Sequence, residues 1–238
     1  KLIVPGYIGV LVFVLAGKDL GTAAVIGATM AGLLFVSGIP LRLFGTISAL
    51  GMAGVSVLIL TAPYRAARFL VVLNPFAEGD YKNYGWQPAH SLMGLATGGF
   101  LGVGLGASRQ KWGNLAEAHT DFIFSVIGEE LGLLGTIGTI LLFCGLIFAI
   151  FRIAIRANDP MVRFTCAGIG VWISIQCFFN IGSAISLVPV VGVTLPLISY
   201  GGSSLISTYL ALGFVLGAAL RDPEVARGIR ELRKSVAK

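Results

Sequence analysis

Charge is what this sequence has least of. Asp, Glu, Lys and Arg make up 12% of it, against 56% hydrophobic residues, whereas a soluble domain carries about 25% charged residues. That excludes an ordinary soluble domain. Histidine and cysteine are also scarce, with 2 and 3 residues. Cys144, Cys166 and Cys177 all fall inside apolar runs, at a spacing that matches no zinc pattern. They are expected to be packing residues, not disulfides or metal ligands. No small-residue cleavage site follows the first apolar run, so it does not read as a signal peptide. No internal repeat is apparent. An initiator Met is missing too, and the sequence starts against an apolar run, so a piece of a longer chain is expected. Glycine, by contrast, is abundant at 33 residues, which suits helices that approach closely in lipid. The net charge of +6 fits basic cytoplasmic loops better than nucleic-acid binding.

A membrane-crossing helix needs ~20 mostly apolar residues. Six stretches qualify: Leu2–Ala16, Leu20–Ile39, Leu43–Ala62, Phe122–Phe151, Phe164–Val188 and Ser203–Leu220. The expected fold is therefore an all-α polytopic membrane protein. Its parts are three spans in 1–62, a large extracytoplasmic loop in 63–120, and three spans in 121–220. A basic cytoplasmic tail, 221–238, continues as a short helix. Six spans put both ends on one side. That side carries Lys1, Arg42, Arg152, Arg156, Arg163, Arg221, Arg227, Arg230, Arg233, Lys234 and Lys238. The other carries Lys18, Arg65, Arg68, Lys82, Arg109 and Lys111. The richer side is read as cytoplasmic. The fourth span is longer than a bilayer requires, so it tilts, projects or lines a polar cavity.

Within the large loop, 77–88 is polar, and His90 to Gly106 turns apolar and glycine-rich, as if lying at the interface or dipping in. A second irregular stretch, 188–202, holds Pro189, Pro196 and Gly201-Gly202, which break helices. It reads as a re-entrant hairpin, after which Ser203 or Ser204 can cap the last helix.

The densest chemistry runs from Glu117 to Gly132. Glu117, His119, Asp121, Glu129 and Glu130 lie where the polar loop meets the long apolar helix. Charges at the edge of hydrocarbon are costly and call for a function or a partner. Asp121 leads the candidates, although a helix cap would also explain an Asp there. Glu129 follows it by about two turns, roughly 12 Å of rise, which suits an acidic cavity with Asp121 near its mouth. His119 suits a proton shuttle or an orienting group; His90 has no distinguishing context. Arg65, Arg68, Arg109 and Lys111 form two basic pairs that suit a phosphate or diphosphate group, or interfacial snorkelling.

The run Glu117-Ala118-His119-Thr120-Asp121-Phe122-Ile123-Phe124, followed by Gly128-Glu129-Glu130-Leu131-Gly132, resembles the SEDS family (shape, elongation, division and sporulation). Asp19-Leu20-Gly21-Thr22, Tyr64-Arg65 with Asn74-Pro75, and the block from Leu195 to Ser204 agree in order and spacing. The division branch is closer than the elongation branch. Departures are Ala116 where Pro is usual, Gly17-Lys18 where Gln-Pro is common, and His90 where Gln is frequent. The resemblance implies ten helices, of which this chain holds the last six, and a six-helix piece is expected to be inactive alone. It implies a peptidoglycan glycosyltransferase that polymerises lipid II outside the bacterial cytoplasmic membrane, with Asp121 as the catalytic aspartate, a general base for the acceptor hydroxyl. Arg65, Arg68, Arg109, Lys111, Glu117, His119, Glu129, Glu130, Ser199 and Tyr200 are expected to bind substrate or support the site. No cofactor is required by the sequence, though a divalent cation, Mg or Mn, is compatible with a diphosphate leaving group. Implied partners are lipid II, a class B penicillin-binding protein and other division or elongation membrane proteins; nucleic acid is not among them. A lipid II flippase, or a scaffold that recruits a transpeptidase, would use similar features.

Overall fold

The computed structural model describes residues 3–17 and 19–222. Lys1, Lys18 and the basic tail beyond residue 222 lie outside the described residues. The chain runs through eight α-helices: α1 Ile3–Ala16, α2 Leu20–Val36, α3 Leu41–Leu60, α4 Pro63–Val71, α5 Trp86–Gly98, α6 Ile123–Arg156, α7 Pro160–Ala184 and α8 Gly202–Leu220. A single 3-10 turn covers Gln110–Trp112, and no strand occurs among the described residues. Four of these helices, α3, α6, α7 and α8, are long and apolar enough to cross a membrane; α1 and α2 are shorter apolar helices. The protein is a polytopic membrane protein.

The core lies where α6, α7 and α8 meet. Phe143, Ile150, Ala154, Cys166, Ile173, Cys177, Leu195 and Val215 are buried together there. The cysteines are all free; Cys166 and Cys177 sit in this core and Cys144 points outward. Small residues set the spacing. A Cβ on Gly32 of α2 would overlap the Val171 side chain of α7, and one on Gly170 would come within 3.2 Å of Ile150 on α6. With no water to hide from, such close backbone approach is what holds membrane helices together. α3 buries none of its residues. At the far end of the bundle, Arg156 at the foot of α6 pairs with Asp222 beyond α8 at 3.3 Å.

Asp19 caps α2: its carboxylate accepts from the Thr22 amide at 3.0 Å and the Thr22 hydroxyl at 2.6 Å. One turn in, a Cβ on Gly21 would overlap the carbonyl of Val191. α2 thus abuts the irregular 188–200 segment with no room for a side chain. Replacing Gly21 by Ala is expected to displace Val191 and Gly192 and to lower thermal stability by about 1–3 kcal/mol, as overpacking does. Thermal melting in detergent measures this; an unchanged midpoint would mean the contact is soft.

In the glycine-rich half of the large loop, Trp86 to Gly98 forms a packed helix, with Pro88, Ala89, His90, Ser91, Gly94 and Gly98 buried. Ser91 bonds the Ser125 hydroxyl and donates to the Ala184 carbonyl at 2.7 Å, tying α5 to both α6 and α7. At the α5–α6 crossing, a Cβ on Gly98 would overlap the Gly128 carbonyl. His90 acquires a context as well: its ring stacks 3.9 Å from Trp86, and its Nδ1 meets the Trp86 carbonyl at 2.8 Å.

The long helix α6 is broken at Gly132, whose φ of 69° and ψ of −161° are not helical. Only glycine adopts such a backbone readily. The hydrogen bonds lost at the break are taken up by residues 99–104. Val103 and Gly104 donate to the carbonyls of Glu129 and Glu130 at 2.9 and 3.1 Å. Leu133 and Leu134 donate to the carbonyls of Gly99 and Phe100 at 2.8 and 3.3 Å. In an unbroken helix those two amides would have bonded Glu129 and Glu130. These four backbone groups keep partners, as irregular chain at membrane depth requires.

Candidate functional site

Asp121 lies in the turn that precedes α6, not in its cap. The N-cap is Phe122, and no side chain caps the helix. The carbonyl of Glu117 collects the amides of Thr120, Asp121 and Phe122 at 3.2, 3.0 and 3.2 Å. It can do so because Glu117 holds a left-handed φ of 57°, uncommon for a residue with a side chain. The turn is seated by Leu115, Ala118, Phe122 and Val126, with Val190 packed against them.

The 188–200 segment, expected as a hairpin, is an irregular stretch that clamps this turn from the other side. Ser199 is buried; its hydroxyl donates to the Thr120 carbonyl at 2.5 Å and accepts from the Leu195 amide at 2.8 Å. The Tyr200 amide donates to the His119 carbonyl at 2.9 Å, and the two rings meet edge to face at 5.8 Å. Asn180, wholly buried on α7, donates its amide to the carbonyls of Asp121 at 2.9 Å and Val193 at 2.7 Å. It joins both halves of the site. Sequence reasoning passed over Asn180, although an Asn deep in an apolar run is itself a signal. α8 starts at Gly202 with Gly201 as its cap and no side-chain cap, so neither Ser203 nor Ser204 has the expected role; Ser204 instead pairs with Thr194 at 2.9 Å.

The backbone around Asp121 is thus fixed at every point, while its carboxylate has no hydrogen-bond partner among the described residues. It is half-buried and borders Gly192, where a Cβ would stand 3.6 Å from Oδ2. Burial pushes its pKa above the usual carboxylate value, and the nearby Glu117 charge pushes it the same way. A poised, unpartnered carboxylate is suited to taking a proton. Because Glu117 contributes to the upward shift, Glu117→Gln is expected to move the acid limb of any Asp121-dependent activity to lower pH. A pH–rate profile checks this; an unmoved limb would separate the two carboxylates.

The remaining candidates divide into two further groups. Glu129 is 1% exposed and accepts from the Ser108 hydroxyl at 2.5 Å and from the Arg109 and Gln110 amides at 3.0 and 3.3 Å. Glu130 pairs with Lys111 at 2.5 Å. Glu129 and Glu130 together fasten residues 108–111 to the top of α6. Arg65 turns to the Tyr64 hydroxyl at 2.8 Å and the Leu58 carbonyl at 3.0 Å. Arg68 lines a cavity of about 360 Å³ with Lys82, Trp86 and Val190. Arg65 and Lys111 are thus held by partners other than those around Arg68. Among the described residues no group of three or more His, Cys, Asp or Glu could hold a metal ion.

A glycine-packed bundle of apolar helices, four of them long enough to cross a membrane, defines the class: a polytopic membrane protein, here with an acidic side chain held bare beside the irregular 188–200 segment. The chain belongs to the cell cycle protein family of FtsW, RodA and SpoVE, which it matches over residues 2–222. It is 40% identical over 228 residues to the probable peptidoglycan glycosyltransferase FtsW of Mycobacterium tuberculosis, covering 96% of this chain and 43% of that protein. Against the FtsW of Methylococcus capsulatus it is 42% identical over 229 residues, covering 94% and 56%. The chain thus spans about half the length of the curated relatives it matches. Among solved structures it resembles a chain of a peptidoglycan synthase complex described as coordinating polymerization and crosslinking. The TM-score is 0.68 at 31% identity, covering 88% of this chain and 58% of that one. Thermus thermophilus RodA matches with a TM-score of 0.59 at 29% identity, covering 91% and 54%.

Proposed function

We propose that the whole protein is a peptidoglycan glycosyltransferase that polymerises lipid II on the outer face of the bacterial cytoplasmic membrane. The observation that carries this reading is the bare, half-buried carboxylate of Asp121, raised in pKa and held by a fully bonded backbone. In the proposed step Asp121 takes the proton of an acceptor sugar hydroxyl. The hydroxyl oxygen forms the new bond to C1 of the donor sugar. The bond from C1 to the diphosphate oxygen breaks, and polyprenyl diphosphate leaves with the electron pair. Tyr200, 74% exposed beside His119, is placed to meet a sugar face. By analogy with the synthase complex it resembles, the protein works beside a transpeptidase of the class B penicillin-binding type.

The test is glycan polymerisation from lipid II by the full-length protein with its partner, wild type against Asp121→Asn. Polymer from the wild type alone supports the reading. Equal polymer from both moves the chemistry elsewhere. No polymer from either, with lipid II still crossing liposome membranes, favours transport.

A further inference from the structure

The 360 Å³ cavity beside the site has a chemistry of its own. It lies between α4, the 82–88 segment and the stretch 188–190. That volume suits a sugar with its linked phosphates, since ligand pockets run from about 300 to 1,000 Å³. Arg68 and Lys82 line it, and no acidic residue does. Neither cation has an ion-pair or hydrogen-bond partner among the described residues, whereas Lys111 is committed to Glu130 and Arg65 to Tyr64 and Leu58. The amide side chains of Asn83 and Gln87 also border the space, and Trp86 offers an aromatic wall. The Trp86 ring is fixed by stacking on His90 and by its indole donating to the Asn114 carbonyl at 2.6 Å. Two unpaired cations, two amides and a rigid aromatic wall are a set for an anionic sugar derivative.

Its position relative to Asp121 gives the cavity a role. Val190 lines it and also packs on the Phe122 cluster that seats the Asp121 turn. Gly192, which borders the Asp121 carboxylate, is two residues further on, at most ~7 Å of extended chain. A diphosphate in the cavity and a sugar carbon near Asp121 are therefore within the span of one sugar-diphosphate unit. We propose that the Arg68–Lys82 cavity binds the diphosphate of a polyprenyl-linked sugar. The proposal rests on the glycosyl-transfer reading for the identity of its ligand, and it assigns that ligand to residues on which the reading does not depend. Lys82 enters here for the first time as a binding residue. Arg109 and Lys111, fastened to α6 through Glu129 and Glu130, are left out.

The experiment measures binding of undecaprenyl diphosphate, undecaprenol and inorganic diphosphate to the full-length protein in detergent. Wild type, Arg68→Gln, Lys82→Gln and the double variant are compared. Wild type is expected to prefer undecaprenyl diphosphate over undecaprenol. Each single variant is expected to bind the diphosphate lipid about tenfold more weakly, the loss of one hydrogen bond to a charged group. Undecaprenol binding stays unchanged in all four. A double variant that binds the diphosphate lipid like wild type overturns the proposal. Equal losses for the diphosphate lipid and undecaprenol also overturn it, because the anion is then not what is read. Inorganic diphosphate that binds as tightly as the lipid overturns the lipid-linked ligand. Polymerisation separates the two readings. A wild-type polymerisation rate in the double variant sinks the cavity proposal alone. Selective loss of diphosphate binding, with no polymer from any form, keeps the cavity's ligand and sinks glycosyl transfer.

Discussion

Asp121→Asn should reduce polymerisation by the full-length protein about 10²–10⁴-fold, the usual contribution of a positioned proton acceptor, while leaving the fold intact. The second half of that expectation comes from the site's own geometry. The Asp121 backbone is held by Glu117, Asn180 and the Phe122 cluster, and its side chain bonds nothing among the described residues. Removing the charge therefore breaks no contact. It should in fact help. The carboxyl's pKa is raised in the folded protein by burial and by Glu117, so the folded state favours the protonated form more than the unfolded chain does. The ionised form then detracts from stability at neutral pH, and that penalty fades as pH falls through the raised value. Melting in detergent should place the Asn variant at or slightly above wild type at pH 7, with the difference gone in acid. An inactive variant that also melts early would mean that Asp121 is structural.

Glu129→Ala should have the opposite profile: a large loss of stability from a residue that does no chemistry. Its carboxylate satisfies the Ser108 hydroxyl and the amides of Arg109 and Gln110. Truncation strands three donors, those of Ser108 and Gln110 buried and worth about 1–3 kcal/mol each, and removes the anchor of residues 108–111. The expected loss is about 3 kcal/mol or more. Gln at the same position keeps a carbonyl acceptor and should lose less. A lowered melting midpoint with Ala, and a smaller drop with Gln, is the expected order; an Ala variant that melts like wild type would falsify the anchoring role.

The helical architecture was readable from long apolar runs, and the candidate site is marked by acids placed where hydrocarbon begins. Both signals are local, because cost of burial is a property of each residue and its immediate neighbours. What stayed hidden depends on contacts far apart in the chain. Nothing near His90 or Ser91 announces that α5 will be gripped by Ser125 and Ala184. Gly132 is one of several glycines in its helix, and only the approach of residues 99–104 distinguishes it. Arg65, Arg68, Arg109 and Lys111 read as two basic pairs at the outer membrane edge. Their side chains part because Glu130 claims Lys111 and the Leu58 carbonyl claims Arg65, leaving Arg68 to join Lys82.

The interlock between residues 99–104 and the α6 break bears on how this chain can change over evolutionary time. Loops of membrane proteins are ordinarily where insertions and deletions accumulate. Here Gly99 and Phe100 bond two amides of α6 while Val103 and Gly104 bond the carbonyls of Glu129 and Glu130, and Ser108 to Lys111 are fixed to the side chains of the same two residues. One residue more or fewer in that interval would put every one of those partners out of phase with the helix. Length drift is therefore expected between α4 and α5 and around residue 113, while the middle of the largest loop should be as fixed in length as a transmembrane span.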